Sequence, residues 1–294
     1  MRQVIIFGEN VPEWSAALNE KAPVWHMVGA SARTLPGLAA SELDQVDEET
    51  IVIPLMEKHI VICPKRFRSL FPPKQTVNLL SDKRELSQYL ASHQLQHLAP
   101  TTFTLENIQF PCVVKRLNLN AGTGVEVATD EVCLSHILTR NPWAGHPVII
   151  QEYIASEFDF VTHAVCRGGH FIWSCTYQLS VDPPGAIQRP SNTIAREKLE
   201  ASIDTLRTLE SLIAPLAYDG PINFDYKLTK HGLRIMEINP RLGGSLIIPD
   251  NIDDLAGALR AICLHSYTDH ENKNSVTDDL ASCETNALRP SNRN

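Results

Sequence analysis

The chain has 294 residues, 43% hydrophobic and 20% charged, an ordinary soluble composition with room for two or three modules around a substantial core. Its formal net charge of -8 and pI near 5.8 argue against nonspecific nucleic-acid binding, and the longest basic cluster is Lys65-Arg66-Phe67-Arg68. Apolar runs such as Val148-Ile149-Ile150 fall far short of the roughly 18 to 20 residues of a membrane span. Val4 to Phe7 is strand-length and followed by Gly-Glu-Asn, unlike a secretory leader. Seven cysteines, at 63, 112, 133, 166, 175, 263 and 283, form no CxxC and no metal spacing. They read as buried thiols in a reducing cytoplasm.

In chain order, residues 1–77 alternate short β-rich runs (Gln3 to Phe7, Ile51 to Leu55, His59 to Cys63) with helical or irregular segments, as a small parallel α/β unit would. Gly8-Glu9-Asn10 follows the first strand at the edge where such sheets bind ligands. It lacks the GxGxxG that would cradle a pyrophosphate. Ser81-Asp82-Lys83-Arg84-Glu85 opens a helix running to about Gln94, with Ser81 or Asp82 as N-cap. Lys115 closes the apolar strand Phe110-Pro-Cys-Val-Val-Lys115, where an ammonium needs an anion beside it. The loop Asn118 to Gly124, carrying Gly122 and Gly124, follows at once, and such backbone cradles anions.

Val148 to Asp159 is an apolar strand and its polar exit. Phe160 to Val165 and His170 to Gln178 read as strands paired about Arg167-Gly168-Gly169, with His163 and His170 as sheet residues rather than ligands. Asp182 to Ser191 is a proline-rich loop offering Arg189 to a substrate or phosphate. From Thr193 to Leu216 the apolar spacing is helical. After Leu264 periodicity is lost, and residues 266–294 are expected to be a disordered tail.

The most informative stretch is Gly220 to Ser245, two apolar runs around Thr229-Lys230-His231-Gly232. A three-residue hairpin loop ending on Gly232 pairs Thr229 with Leu233 and so sets Asp225 opposite Glu237. Two carboxylates facing each other across a ladder destabilise it. Set among Ile222, Phe224, Ile235 and Ile238, they demand a cation between them. Glu237, Asn239 and Arg241 begin on one strand face, about 6.6 Å apart, which suits oxygen ligands around two metal ions about 3.5 to 4 Å apart. With no His or Cys among the donors, Mg²⁺ or Mn²⁺ is favoured over Zn²⁺.

Asp225 and Glu237-Ile-Asn239-Pro-Arg241-Leu-Gly-Gly resemble the metal-binding hairpin of the ATP-grasp superfamily of ligases and carboxylases. The resemblance covers about residues 78–265, with its motifs in family order. It implies an α/β (α+β ATP-grasp) fold: an N-terminal parallel α/β domain (1–77), a small lid subdomain (78–154) and a C-terminal subdomain (155–265), the latter two clamping ATP between their sheets. By the same resemblance Asp225, Glu237 and Asn239 hold two Mg²⁺ ions, and Arg241 stabilises charge on the acyl phosphate or its successor. Lys83, Lys115, Gly122 and Gly124 meet ATP phosphates; Glu152 and the backbone of Tyr153 and Ile154 meet adenine. Glu157 meets the ribose, although Ala155-Ser156 replaces the family's Pro-Gly spacing, leaving Asp159 as a rival.

The implied activity is an ATP- and Mg²⁺-dependent ligase that activates a carboxylate as acyl phosphate and joins it to an amine. Its implied partners are small molecules, with no nucleic acid, no membrane and a homodimer as one possible assembly. The alternatives are a kinase or carboxylase on the same scaffold, and a nucleotide-binding regulator without turnover. Arg241 argues against the regulator, because binding alone does not require it.

Overall fold

The computed structural model describes residues 2–37, 39–117 and 124–266. Gly122 and the expected tail beyond Ser266 lie outside the described residues. The first unit is a parallel three-stranded sheet of β1 (Arg2–Phe7), β2 (Ala30–Leu35) and β3 (Ile51–Pro54), ordered β2-β1-β3. Helices α1 (Pro12–Leu18), α2 (Pro23–Val28) and α3 (Glu57–Ile62) accompany it. The strand expected over His59 to Cys63 is α3: its β-branched residues misled, because His59 and Ile60 are buried and His59 Nδ1 accepts the Met56 N–H that opens the helix, at 3.2 Å.

Helices α4 (Lys74–Ser81) and α5 (Lys83–Ser92) follow. Asp82, not Ser81, caps α5, its Oδ1 accepting from the Arg84 and Glu85 amides at 2.8 and 3.0 Å. Next comes an antiparallel four-stranded sheet, β4 (Thr102–Phe103), β5 (Cys112–Arg116), β6 (Val125–Ala128) and β7 (Val148–Glu152), ordered β4-β7-β5-β6, with α6 (Glu131–Thr139) on one face. Alternation along β5 sends Cys112 and Val114 into the core under α6 and turns Val113 and Lys115 to the opposite side.

The third sheet is antiparallel: β8 (Phe158–Arg167), β9 (His170–Val181), β10 (Thr193–Leu199), β11 (Gly220–Thr229) and β12 (Gly232–Asn239), ordered β10-β9-β8-β11-β12. The helix expected from Thr193 is instead β10, and helix α7 spans only Ile203–Ser211. The segment Ala-Arg-Glu-Lys-Leu favours a helix locally, but pairing with the edge of β9 overrides that preference.

Both faces of this sheet are covered. Phe160, Ala164, Ile222, Phe224, Ile235 and Ile238 pack with α4, α5 and α7 residues. On the other face Val161, Val165, Tyr177 and Leu179 share one core with α8 (Ile252–His265) and with β1, β3, α1 and α2. The N-terminal unit is thereby fixed against the face of the third sheet that carries the site. Among the described residues no helix is long and apolar enough to cross a membrane.

Candidate active site

The β11–β12 hairpin owes its geometry to one extra residue. At the turn Thr229 pairs with Gly232, whose φ is 98°, and Tyr226 pairs with Ile235. The register is one residue different from that of a three-residue loop, and carried to the end it would set Glu237 opposite Phe224. A bulge at Met236 corrects it, so that Asp225 faces Glu237 and Asn223 faces Asn239. Because the bulge reverses strand alternation, Ile235 and Ile238 both enter the core while Glu237 and Asn239 both turn outward to the site. The expected carboxylate pairing is present, reached by a bulge instead of by the loop.

Asn239 Nδ2 donates to Asp225 Oδ2 at 3.0 Å and to Asn223 Oδ1 at 3.1 Å. Burial, reinforced by the neighbouring Glu237, pushes the Asp225 carboxyl up to about 7. Two lysines converge from other elements. Lys83, the first residue of α5, lies 3.6 Å from Glu237 Oε1. Lys115, 9% exposed on β5, has its ammonium pushed down to about 8 by burial, against the pull of Glu237. Arg241 Nε bonds Glu57 Oε1 of α3 at 2.9 Å, and its Nη1 donates to the Leu242 carbonyl at 3.1 Å.

Two cavities meet at this hairpin. The smaller, about 180 Å³, lies between the four- and five-stranded sheets and is lined by Lys83, Lys115, Glu152, Tyr153, Ile154 and Asp159 among others. The larger, about 1000 Å³, lies between α1, Met56 and the five-stranded sheet, and includes Asn223, Asn239, Arg241 and His163. Asp225 and Glu237 line both, as do Leu179 and Gln188. The acid pair is therefore a shared wall between two binding spaces.

No family model matches the chain. Solved structures align over most of it. D-alanine–D-alanine ligase from Bacillus anthracis covers 93% of this chain and 100% of its own, at 13% identity and a TM-score of 0.61. Carboxyaminoimidazole ribonucleotide synthase from Aspergillus clavatus, complexed with ATP, covers 89% and 76% at 11% identity and a TM-score of 0.62. The chain has the ATP-grasp fold.

Phosphoribosylamine–glycine ligase from Thermotoga maritima has the same ATP-grasp arrangement, over 85% of this chain and 70% of its own, at 15% identity and a TM-score of 0.61. By sequence, the large chain of carbamoyl phosphate synthase from Mycobacterium bovis is 23% identical over 185 residues, 58% of this chain. That match spans only 16% of the relative's length.

On this ATP-grasp scaffold the sequence-derived residues divide clearly. Lys83, Lys115, Asp225, Glu237, Asn239 and Arg241 come together around the shared wall, and Glu152, Tyr153 and Ile154 line the smaller cavity. Glu152 Oε2 also accepts from the Thr101 amide and hydroxyl at 3.2 and 3.1 Å. Gly124, at φ 68°, accepts the Arg116 N–H at 2.8 Å through its carbonyl and lines neither cavity. Glu157 is exposed and also lines neither, whereas Asp159 lines the smaller one and pairs with Lys227 at 3.0 Å. Arg189 does not reach the cavities; its Nη2 donates to the Val125 carbonyl at 2.7 Å and ties its loop to β6.

Several site residues escaped the sequence reading. Asn223 could have been found, since it shares a strand face with Asp225. His163, expected as a sheet residue, lines the larger cavity with its Nε2 2.6 Å from Ser245 Oγ; burial and nearby Arg241 push it down to about 3. Glu57, Gln188 and Lys227 carry no local signal at all.

The donor set fits a hard divalent ion. Its atoms are carboxylate and amide oxygens, with Asp225 facing Glu237 across the ladder and Asn223 facing Asn239. Among the described residues no three His, Cys, Asp or Glu side chains cluster to hold a metal. Two carboxylates are the complement Mg²⁺ commonly uses when substrate phosphates and water complete its shell.

Proposed function

We propose that the protein is an ATP- and Mg²⁺-dependent ligase that activates a carboxylate as an acyl phosphate and joins it to an amine. One observation carries the reading: Asp225 and Glu237 wall both cavities. A nucleotide in the smaller space would present its terminal phosphate there, to an acid held in the larger.

In this reading Glu152, Tyr153 and Ile154 meet the base, and Lys83 and Lys115 hold the outer phosphates. Asp159 is better placed than Glu157 for the ribose, since it lines the cavity. Asp225, Glu237 and Asn239 would hold the ions, Mn²⁺ serving in place of Mg²⁺, and the bound metal would neutralise phosphate charge as transfer proceeds. An oxygen of the acid attacks the γ-phosphorus while the bond to ADP breaks. The amine then attacks the acyl carbon, loses a proton, and phosphate leaves. Arg241 stabilises the charge that shifts between these steps.

ADP release from panels of acid and amine pairs, with and without EDTA, tests the proposal when coupled to mass analysis of the product. An amide of the two partners, formed only with Mg²⁺, is the expected result. A phosphorylated product that no amine discharges would make the protein a kinase, and bicarbonate dependence a carboxylase. Nucleotide binding without ADP under any condition would make it a regulator.

A further inference from the structure

The larger cavity has a charged end and an apolar body. The charged end is the shared wall with Arg241. Away from it the lining comes from Trp14 and Ala17 of α1, from Met56, and from Leu246, Ile247 and Ile252 beyond the hairpin. All six pack in one continuous apolar cluster, so the apolar lining is a single surface rather than scattered patches. Among the described residues lining that part, only Glu13 and Arg196 carry formal charge, and no lysine lines the cavity anywhere.

Volume and chemistry together restrict the occupant. About 1000 Å³ stands at the top of the roughly 300 to 1,000 Å³ usual for ligand pockets, far more than a one- or two-carbon acid fills. A sugar phosphate would need several fixed cations or donors along its length, whereas Arg196 is the single cation among the described residues lining that part. The geometry points to a monocarboxylic acid with an apolar body, aliphatic or aryl and at least the size of a leucine or phenylalanine side chain. Its carboxylate lies at Arg241 and the acid pair, and its body lies against Trp14, Met56 and Ile247. This substrate class rests on the activation reading for the position of the reacting carboxylate, while the apolar surface is an observation independent of it.

Calorimetry with the Mg²⁺ complex of a non-hydrolysable ATP analogue present, titrating acetate, butyrate, hexanoate and 3-phenylpropionate, tests the inference. Affinity should climb along the aliphatic series by about fourfold per methylene, the factor expected for burying each one. Ala17→Phe, which fills the apolar end, should abolish the climb, with the melting temperature as the control for folding. Affinity that stays flat or falls with chain length, absence of binding by every acid, or a climb unchanged in a folded Ala17→Phe protein overturns the inference. ADP release with the same acids separates the two readings. Apolar acids that bind without ADP release would sink the ligase proposal and leave this site standing. ADP release with glycine or acetate but none with the apolar acids would do the reverse.

Discussion

Arg241 and Glu57 are ion-paired at 2.9 Å across 184 residues of sequence, with side chains only 15% and 19% exposed. Through this pair the N-terminal unit orients the guanidinium that the proposed mechanism sets beside the transferred phosphoryl group. Arg241→Lys should lower kcat by about 10²- to 10³-fold with little change in ATP affinity, since a lysine cannot reproduce the planar fork. Glu57→Gln should lower kcat in the same direction by about tenfold through misorientation. In the double mutant the two losses should not add. A Glu57→Gln enzyme with wild-type kcat, or an Arg241→Lys enzyme altered only in KM for ATP, would reduce the pair to a structural tie.

Glu237→Gln should abolish turnover and leave the protein folded. The substitution removes a partly exposed carboxylate from opposite Asp225, relieving repulsion while losing the 3.6 Å contact to Lys83, two small effects of opposite sign. What should vanish is the rise in melting temperature that Mg²⁺ and ATP together give the wild type, because ligand stabilisation follows binding. ADP formation near the wild-type rate in saturating Mg²⁺ would remove the hairpin from the metal site.

Lys115 offers a test of nucleotide orientation. Lys115→Ala should weaken ATP more than AMP, with the difference about tenfold or greater, because a buried cation facing phosphate is worth more than about 1.4 kcal/mol. Equal losses for the two nucleotides in calorimetry would move the lysine away from the outer phosphates.

Gly243 is fixed by close approach and not by backbone conformation, since its φ is -94°. A Cβ there would lie 2.3 Å from His163 Cε1 and 2.9 Å from Asn223 Nδ2. Gly243→Ala should therefore destabilise the fold by about 1 to 3 kcal/mol in denaturant titration, as overpacking does. His163→Ala in the same chain should recover part of that loss. Destabilisation unchanged in the double mutant would show that the imidazole is not the obstacle.

The hairpin acids were legible because their chemistry is local: two carboxylates inside apolar runs, with an asparagine and an arginine following at two-residue intervals. The lysine closing β5 was legible for a similar reason, since alternation and apolar neighbours make a charge there costly. Two secondary-structure expectations failed where local preference and tertiary pairing disagree. Ile60-Val61-Ile62 reads as strand but closes α3, and Arg196-Glu197-Lys198 reads as helix but pairs along β9.

By itself the sequence determined which residues bear charge in an apolar setting, Lys115, Asp225 and Glu237, and by their two-residue spacing after Glu237 it marked Asn239 and Arg241. Burial cost and strand alternation act over a few residues, so they are written in short segments. Only the tertiary structure decided that a bulge at Met236 aims Glu237 at the site, that Lys83 lies 3.6 Å from Glu237, and that Glu57 holds Arg241 from another unit. It alone showed that Asp225 and Glu237 stand between two cavities. Those relations depend on how whole sheets and helices are set against each other. No short stretch of sequence carries that information, because the positions concerned meet only once the α8-centred core has brought the N-terminal unit against the third sheet.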